Sequence, residues 1–388
     1  MKRSIALAVV LLLFAAPGWG RNKSRIEVMT QNQFLGADLT PALGALASGD
    51  PVLIAEVLAA TLQQMADNNF PARAGKLAEQ ICRRQAHVVG LQEVFRFEIG
   101  GVSGPPAPLP FVDQLDELMA AIADQCGNYV VGASIQNVDV SQVAPRVGLV
   151  RFVDRDVVLV RDDVPFAPVP FAPNVCEPRP SGVPGIAPSG CHFQALVPLP
   201  ASIGGSILRG YLGVDAFVDG EPYRVVNTHL EVQRPDGTDF SSVFQALQAA
   251  ELIGVLAVFP AAPGTRIIPL GDINSSPEDP IIAQPIQPPP FPIPPPFATT
   301  IIPPYTQFKL SGYTDVWDER PGKSPGYTCC NDEDLILLGE GHGERIDVIF
   351  SSQLPAKVKA SVIGGKANDR VEGLWPSDHC TVSGNLTY

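Results

Sequence analysis

Short polar motifs, most of them directly after an apolar run, mark this chain of 388 residues. In chain order they are Thr30-Gln31-Asn32, Gln92-Glu93, Asn227-Thr228-His229-Leu230, Gly271-Asp272-Ile273-Asn274, Arg345-Ile346-Asp347 and Ser377-Asp378-His379. Their carboxylates, amides and imidazoles are the groups that bind a hard cation, activate water and donate hydrogen bonds to phosphoryl oxygens. This set of residue types predicts metal-dependent hydrolysis of a phosphoester.

The apolar runs before most of these motifs are short and rich in β-branched residues, as buried strands are. They cover residues 26–29, 87–91, 223–226, 266–270 and 348–350. Most motifs therefore lie at strand ends, and strand ends that meet in one place form a site. Within the fourth motif, Asp272 and Asn274 are at positions i and i+2, which places both side chains on one face.

Further runs predict the rest of the fold. Strands are expected at 147–153, 157–160, 211–217, 358–362 and 380–382, and helical periodicity occurs at 51–64, 71–84, 111–126 and 241–259. Strands outnumber helices, and the helices must cover sheet faces. This pattern predicts two packed sheets flanked by helices.

The order and wording of the motifs resemble the endonuclease/exonuclease/phosphatase superfamily, whose members are similar to deoxyribonuclease I. The resemblance begins at about Ile26, continues to the C-terminus and is interrupted by insertions. It implies an α/β (α+β) fold, namely a four-layer αββα sandwich in which two mixed β-sheets pack together between helices. It also implies roles for individual residues.

By this resemblance, Glu93 is the central ligand of a divalent cation, and Asn32 and Asp378 contribute to the same metal site. Mg²⁺ is the expected ion because it prefers oxygen ligands, and Mn²⁺ or Ca²⁺ are possible substitutes. Without the family, Glu93 could instead pair with an arginine, and Asn32 could form a turn. Asp378 could also contact an adjacent side chain. Arg73 is expected to form a structural pair.

The resemblance assigns the chemistry to the remaining motifs. Asp272 orients or deprotonates the water, Asn274 holds the phosphate and the transition state, and His229 contacts a phosphoryl oxygen or protonates the leaving group. Asp347 orients His379. The alternatives are an Asx turn at Asn274 and a purely structural histidine at position 229.

Arg209, in Leu208-Arg209-Gly210-Tyr211, resembles an Arg-Gly motif of the family and is expected to neutralise phosphate or to brace the site. The segment Gly326-Tyr327-Thr328 corresponds to a Gly-x-Thr element beside the active site. An Asp-His pair also occurs in serine hydrolases, but a Gly-x-Ser-x-Gly elbow is absent from the sequence. His87, His192 and His342 are expected to be structural or surface residues.

The N-terminus predicts a secretory signal peptide over residues 1–20. A basic head, an apolar stretch of about a dozen residues and small residues follow one another there, and the stretch is short for a membrane span. The remaining 21–388 are expected to form a single catalytic domain without another transmembrane helix. The predicted location is secreted or periplasmic.

The chain has seven cysteines, an odd number that leaves at least one unpaired. Cys176 and Cys191 are predicted to form a disulfide that closes a Pro/Gly-rich loop, with a stabilisation of roughly 3 kcal/mol on the chain-entropy model. Cys329 and Cys330 are adjacent, and a bridge between them would be strained, so each is expected to pair elsewhere, or one of them to stay free. A zinc site is disfavoured because Cys-x-x-Cys spacing is absent.

Two proline-rich insertions are predicted, near 164–189 and 285–304. The second is expected to be an extended, polyproline-like loop, and it carries the apolar residues Phe291, Ile293, Phe297, Ile301 and Ile302. Two interpretations are open: the loop lies against the protein, or it forms an exposed apolar lip that makes peripheral contact with lipid.

The expected partner is a phosphoester substrate: a nucleic acid, a phospholipid headgroup or a small phosphodiester. The formal net charge of −13 opposes nonspecific binding to polyanions. It therefore favours small phosphoesters or lipids over nucleic acid as the substrate. An aromatic hairpin for membrane contact is not evident. A sphingomyelinase or phospholipase C, a secreted nuclease, a serine-type esterase and a non-catalytic binding module remain the competing hypotheses. No obligate protein partner is evident.

Overall fold

The computed structural model describes residues 24–100, 109–144, 148–171, 176, 180–198, 205–233, 241–259, 261–283, 300–337 and 343–388. The predicted signal peptide and most of the insertion at 285–304, including Phe291, Ile293 and Phe297, lie outside these residues. His342 lies outside them as well. Signal cleavage and the extent of the catalytic domain therefore stay predictions.

The described residues contain strands of very different length. In chain order they are β1 Arg25–Asn32, β2 Val88–Gln92, β3 Arg96–Gly100, β4 Leu109–Asp113, β5 Tyr129–Ala144, β6 Gly148–Arg161, β7 Phe166–Pro168, β8 Gly190–His192, β9 Val197–Pro198, β10 Ser206–Ile207, β11 Gly210–Val218, β12 Glu221–His229, β13 Arg266–Asp272, β14 Thr314–Asp315, β15 Asp347–Ser351, β16 Lys357–Ile363 and β17 Thr381–Thr387. Helices connect several of them. They are α1 Thr40–Ser48, α2 Pro51–Asp67, α3 Phe70–Arg84, α4 Gln114–Gln125, α5 Ser241–Val258 and α6 Pro304–Leu310, with a short 3-10 helix at Ala367–Asp369.

Most of these strands belong to two mixed sheets. The first sheet has the order β16-β17-β1-β2-β6-β3-β4, and β5 pairs with β6. The second has the order β14-β15-β13-β12-β11-β7, and β8 pairs with β11. Strands β1 and β2 are parallel in the first sheet, and β12 and β13 are parallel in the second. Both parallel pairs end at polar motifs.

Three apolar cores separate the layers. Alternate residues of both sheets, such as Val28, Val88 and Leu270, form a shared core between the sheets. The outer face of the first sheet packs on α3 and α4, and the outer face of the second packs on α5 and α6. The four-layer αββα sandwich predicted from the motifs is thus confirmed.

The predicted elements needed several corrections. The runs 147–153 and 157–160 form one strand, β6, along which the unpredicted β5 is paired. The helix expected from residue 111 begins at Gln114, because Leu109–Asp113 form a strand and the Asp113 carboxylate caps α4 by accepting from the amides of Leu115 and Asp116. Helices α1 and α6 were not predicted.

The described end of the second insertion is packed rather than exposed. Ile301 pairs with Ile282 in an isolated β-bridge and is buried against Val243 and Ala246 of α5. The exposed apolar lip is therefore wrong for Ile301, whose side chain lies in this small core.

Helix α5 is long and apolar enough to cross a membrane by length and composition alone, contrary to the expectation that no segment after the signal peptide has this character. More than half of it is buried, however, and Ala249, Leu252 and Leu256 pack in the outer core of the second sheet. A core helix has this character too, so the finding is weak support for a membrane span.

Disulfides join three pairs of cysteines among the described residues. Cys176–Cys191 confirms the predicted bridge, and Cys82–Cys126 connects the ends of α3 and α4. Cys329 and Cys330 are bridged to each other, so the expectation that each pairs elsewhere was wrong: the four other bridged cysteines are already paired. Cys380 is buried and unpaired.

Candidate active site

The inner faces of both sheets change from apolar to polar along the parallel strands. On β1 the inward residues Ile26 and Val28 belong to the shared core, whereas Thr30 and Asn32 beyond them are polar and buried. The same change occurs on β12 and β13, where His229 and Asp272 are partners in register at the strand ends. The polar ends of the strands therefore face each other across the gap between the sheets.

Asn32 connects the two sheets at this level. Its Nδ2 atom donates to Glu93 Oε1 at 3.3 Å and to Asp272 Oδ2 at 3.1 Å. Its Oδ1 atom accepts from the amide of Phe34 at 2.9 Å. Asn32 thus forms a turn and also lies in the cluster, so the two interpretations of this residue are compatible.

Glu93 follows β2 in a left-handed backbone conformation, with φ of 55°. Its Oε2 atom accepts from the amide of Leu35 at 3.1 Å. Burial raises the pKa of the Glu93 carboxyl, and the nearby charge of Asp378 raises it further. Glu93 is hydrogen-bonded to Asn32 and Leu35; among its described contacts, no arginine pairs with it.

The pKa of Asp378 is raised by burial as well. Two carboxyl groups that repel each other in a buried site offer oxygen atoms that suit a hard cation. The residues expected to hold Mg²⁺ therefore fit such an ion. A second group, Asp272, Asp347 and His379, offers ligand atoms within 4.8 Å of one another.

Asp272 lies at the centre of the cluster and is 1% exposed. Its Oδ2 atom is 3.5 Å from His229 Nε2 and 3.8 Å from His379 Nε2. Burial raises the pKa of the Asp272 carboxyl to about 7, although His379 opposes this shift. Asp272 thus connects the histidines of two separate motifs.

Asn274 lies beyond Asp272 with φ of 48°, a conformation that asparagine tolerates. Its amide donates to Asp272 Oδ1 at 2.9 Å, so the Asx turn here is made by Asp272 rather than by Asn274. The Asn274 side chain donates through Nδ2 to the carbonyl of Leu230 at 2.9 Å. Gly271 allows the close approach, because a Cβ atom there would clash with the Thr228 carbonyl.

His379 and Asp347 form the expected pair, with Nδ1 2.8 Å from Oδ2. Burial lowers the pKa of His379, but the carboxylates of Asp347, Asp378 and Asp272 together raise it well above its ordinary value. Thr328 holds the carboxylate strand in place, since its Oγ1 atom accepts from the amides of Ile346 and Asp347, each at 3.2 Å. The predicted Gly-x-Thr element therefore lies beside the site.

His229 is surrounded differently from His379. Burial lowers its pKa well below the ordinary value, and the Arg209 guanidinium lowers it further. Both effects favour the neutral form of the His229 ring. Arg209 Nη1 lies 2.7 Å from His229 Nδ1 and 3.1 Å from Nε2.

Two buried acids near Arg209 were missed by the sequence interpretation. Asp154 and Asp156 on β6 receive hydrogen bonds from Asn137 Nδ2, at 3.4 Å and 2.8 Å. Burial raises the pKa of Asp154 to about 6, and the Arg209 charge opposes this shift. The available signal was a pair of acids at i and i+2 directly before the apolar run 157–160.

The remaining predicted residues lie outside the cluster or support it. Among the described residues Arg73 forms no ion pair; it donates to backbone carbonyls, which corrects the expected structural pair. His87 Nδ1 accepts from the amide of Glu27 at 2.9 Å, and His192 Nε2 contacts the Gln136 carbonyl at 2.9 Å. Both are structural, as predicted.

Comparison with solved structures finds this fold in two bacterial proteins of the endonuclease/exonuclease/phosphatase family. The one from Leptotrichia buccalis is 14% identical with a TM-score of 0.51, and the match covers 94% of this chain and 100% of that chain. The one from Bacteroides thetaiotaomicron is also 14% identical, with a TM-score of 0.50 and coverage of 95% and 99%. A truncated TDP2 from Caenorhabditis elegans is more distant, at 14% identity and a TM-score of 0.46, with coverage of 94% and 98%.

No protein-family model matches the sequence, and no curated protein is a significant match. At these identities the solved structures show the fold alone. The chain therefore has the fold of the endonuclease/exonuclease/phosphatase superfamily, as its motifs predicted.

Proposed function

We propose that this protein is an exported, divalent-metal-dependent hydrolase of phosphoester bonds, with a phosphodiester as its substrate. The observation that carries the proposal is the convergence of motifs far apart in the chain on one buried cluster. Asn32 bonds to both Glu93 and Asp272, and Asp272 lies beside both histidines. Carboxylates, amides and imidazoles in one buried cluster are what phosphoester hydrolysis requires.

In this proposal Glu93, Asn32 and Asp378 hold Mg²⁺, for which Mn²⁺ or Ca²⁺ can substitute. When bound, the ion neutralises charge on the phosphoryl oxygens. The buried carboxyl groups of Glu93 and Asp378, and the charge of Asp378 that raises the pKa of Glu93, support the assignment.

The other residues of the cluster act on water and phosphate. Asp272 orients the attacking water and accepts its proton as the oxygen adds to phosphorus and the ester oxygen leaves. His379, held by Asp347 through a 2.8 Å contact, lies 3.8 Å from Asp272 and organises the attack of water together with it. The negative charge on the phosphoryl oxygens is stabilised by Asn274, His229 and Arg209.

Among phosphodiesters, lipid headgroups and small soluble diesters are favoured over nucleic acid. The formal net charge of −13 opposes the approach of a polyanion. Disulfides support the proposed export, because they form and persist in oxidising compartments.

The test is a substrate panel assayed with the mature protein. Bis(p-nitrophenyl) phosphate, sphingomyelin, inositol phosphates and plasmid DNA are incubated with Mg²⁺, with and without a chelator. We expect turnover of at least one diester that the chelator abolishes. Turnover that resists the chelator and is blocked by an organophosphate would show a serine-type esterase, and no turnover of any substrate would favour a binding module.

A further inference from the structure

We infer that Gln92 and Asn227 are positioning residues: their side chains bond to each other across the two sheets and set the distance between Glu93 and the site residues of the second sheet. This pair, together with Thr30, is named the inter-sheet clamp. The inference rests on the proposed function for its effect on turnover, but its geometric part can be tested without activity.

The inter-sheet clamp lies between the apolar core and the site. On β2 the inward residues are Val88, Gly90 and Gln92, and on β12 they are Val225, Asn227 and His229, as the alternation along a strand requires. Val88 and Val225 belong to the shared core. The clamp is thus the first polar layer above that core.

The hydrogen bonds of the clamp are directional, and they satisfy most of the donors and acceptors of the two side-chain amides. Gln92 Nε2 donates to Asn227 Oδ1 at 2.5 Å and to Thr30 Oγ1 at 3.1 Å. Asn227 Nδ2 in turn donates to two carbonyls of the first sheet, that of Leu91 at 2.9 Å and that of Val157 at 3.2 Å. Asn227 therefore crosses the gap and bonds to the backbone of the opposite sheet.

Gly90 makes this crossing possible. A Cβ atom at position 90 would lie 2.7 Å from Asn227 Oδ1, closer than real Cβ atoms come to other atoms. The backbone of β2 therefore leaves open the space that the Asn227 amide occupies, which indicates that the two strands are built to meet here.

The clamp is adjacent in sequence to residues of the site in both sheets. Gln92 immediately precedes Glu93, and Asn227 is two residues before His229, whose register partner on β13 is Asp272. Apolar contact between sheets is non-directional, so it does not fix their relative position as hydrogen bonds do. The hydrogen bonds of the clamp fix the relative position of the two sheets next to the site, where residues from both sheets must contact the same phosphate.

The chain offers a matched control for the test. Gln31 and Gln92 are both buried, at 1% and 0% exposure, and each immediately precedes a residue of the site. Gln31, however, bonds on the helix side of the first sheet, to Thr381 Oγ1 at 3.0 Å and Gln80 Oε1 at 3.4 Å. Gln92→Met and Gln31→Met each remove one buried amide and keep the side-chain length.

We expect Gln92→Met to lower kcat/KM for the diester on the order of 10²-fold, the cost of a small misplacement, and to reduce the rise in melting temperature caused by Mg²⁺. Gln31→Met should change kcat/KM, and the rise in melting temperature caused by Mg²⁺, by less than about twofold each. The exchange Q92N/N227Q, which moves one methylene across the gap, should regain at least about tenfold over Gln92→Met.

Imidazole NMR signals separate this inference from the proposed function. The His229 signals should shift in Gln92→Met and stay in place in Gln31→Met, whether or not the protein turns over the diester. An unshifted His229, or equal effects of the two variants, would overturn the clamp. Inactive wild-type protein would count against the proposed function alone.

Discussion

Two buried arginines lie near the carboxylate of Glu93, and their surroundings are opposite in kind. Arg73 is 0% exposed and donates to the carbonyls of Asn68, Gln33 and Pro376 at 2.8 to 3.0 Å. Among the described residues, Arg209 Nε makes no hydrogen bond and lies 3.9 Å from Glu231 Oε2, and its Nη1 atom faces the ring of His229.

The difference shows how a structural cation can be told from one that is available to a ligand. Arg73 gives its donors to the backbone, so it has little left for an anion and serves to hold the chain around the site. Arg209 keeps an unused donor beside the cluster that includes Asp272, where a charge-assisted bond to phosphate would be strong. Both arginines are buried, so they differ in how many of their donors already have hydrogen-bond partners.

The largest effect on turnover is expected at Asp272 and His379, in the cluster beside Arg209. Asp272→Ala and His379→Ala should each lower kcat by at least about 10³-fold, because both remove a group that acts on the reacting atoms. Circular dichroism and urea unfolding should show a folded protein for both variants. Steady-state assays with a chromogenic diester measure the rate.

The control for these variants is Asp163→Ala, which removes an exposed carboxylate that pairs with Arg161. It should keep the wild-type rate, since exposed ion pairs contribute little. Near-normal turnover in Asp272→Ala or His379→Ala would contradict the assigned roles.

The next effect separates the two arginines directly. Arg209→Met should lower kcat/KM by about 10²- to 10³-fold, because one donor to the phosphoryl oxygens is lost. Its unfolding free energy should fall less than that of Arg73→Met, since Arg209 satisfies few backbone groups. Inorganic phosphate should also protect the wild type from thermal unfolding more than it protects this variant.

The same substitution at position 73 should have the reverse effect. Arg73→Met leaves the carbonyls of Asn68, Gln33 and Pro376 without their donor, which should cost about 3 kcal/mol of unfolding free energy in urea. The folded fraction should keep its rate within about threefold. If Arg73→Met is as stable as the wild type, or Arg209→Met is the less stable of the two, the contrast between the regions is wrong.

The sequence was most informative where local pattern decides structure. Asn32, His229 and Asp272 could be placed at strand ends because short β-branched runs precede them, and the structure brings them together at the inner edge of both sheets. Their motif order also identified the fold. Roles in catalysis stay predictions.

The sequence was least informative where distant residues decide the outcome. Strand β5 was missed because its buried residues include Ser134 and Asn137, which are polar and bond to partners on other segments. The Cys82–Cys126 bridge joins residues 44 positions apart, and spacing does not determine connectivity. The low pKa of His229 depends on burial and on Arg209, which no local pattern reveals.

The smallest expected effect concerns a histidine outside both arginine regions. Burial lowers the pKa of half-buried His87, and the charge of Arg161 lowers it further. Its neutral Nδ1 atom accepts from the amide of Glu27, a bond that protonation of this nitrogen would break. The unfolded chain therefore binds this proton more readily, with a pKa of about 6.5.

The sign of the pH dependence follows from this order of pKa values. The contribution of His87 to stability is complete above about pH 6.5 and is lost as the pH falls through the lower pKa of the folded state. His87→Asn keeps an acceptor for the Glu27 amide but cannot titrate, so it should lose less unfolding free energy than the wild type between pH 7 and pH 5. Urea unfolding at both values measures the difference, with pH 8 as the control, where His87 is neutral in both states. A gap between variant and wild type that stays constant from pH 8 to pH 5 would show that His87 does not contribute.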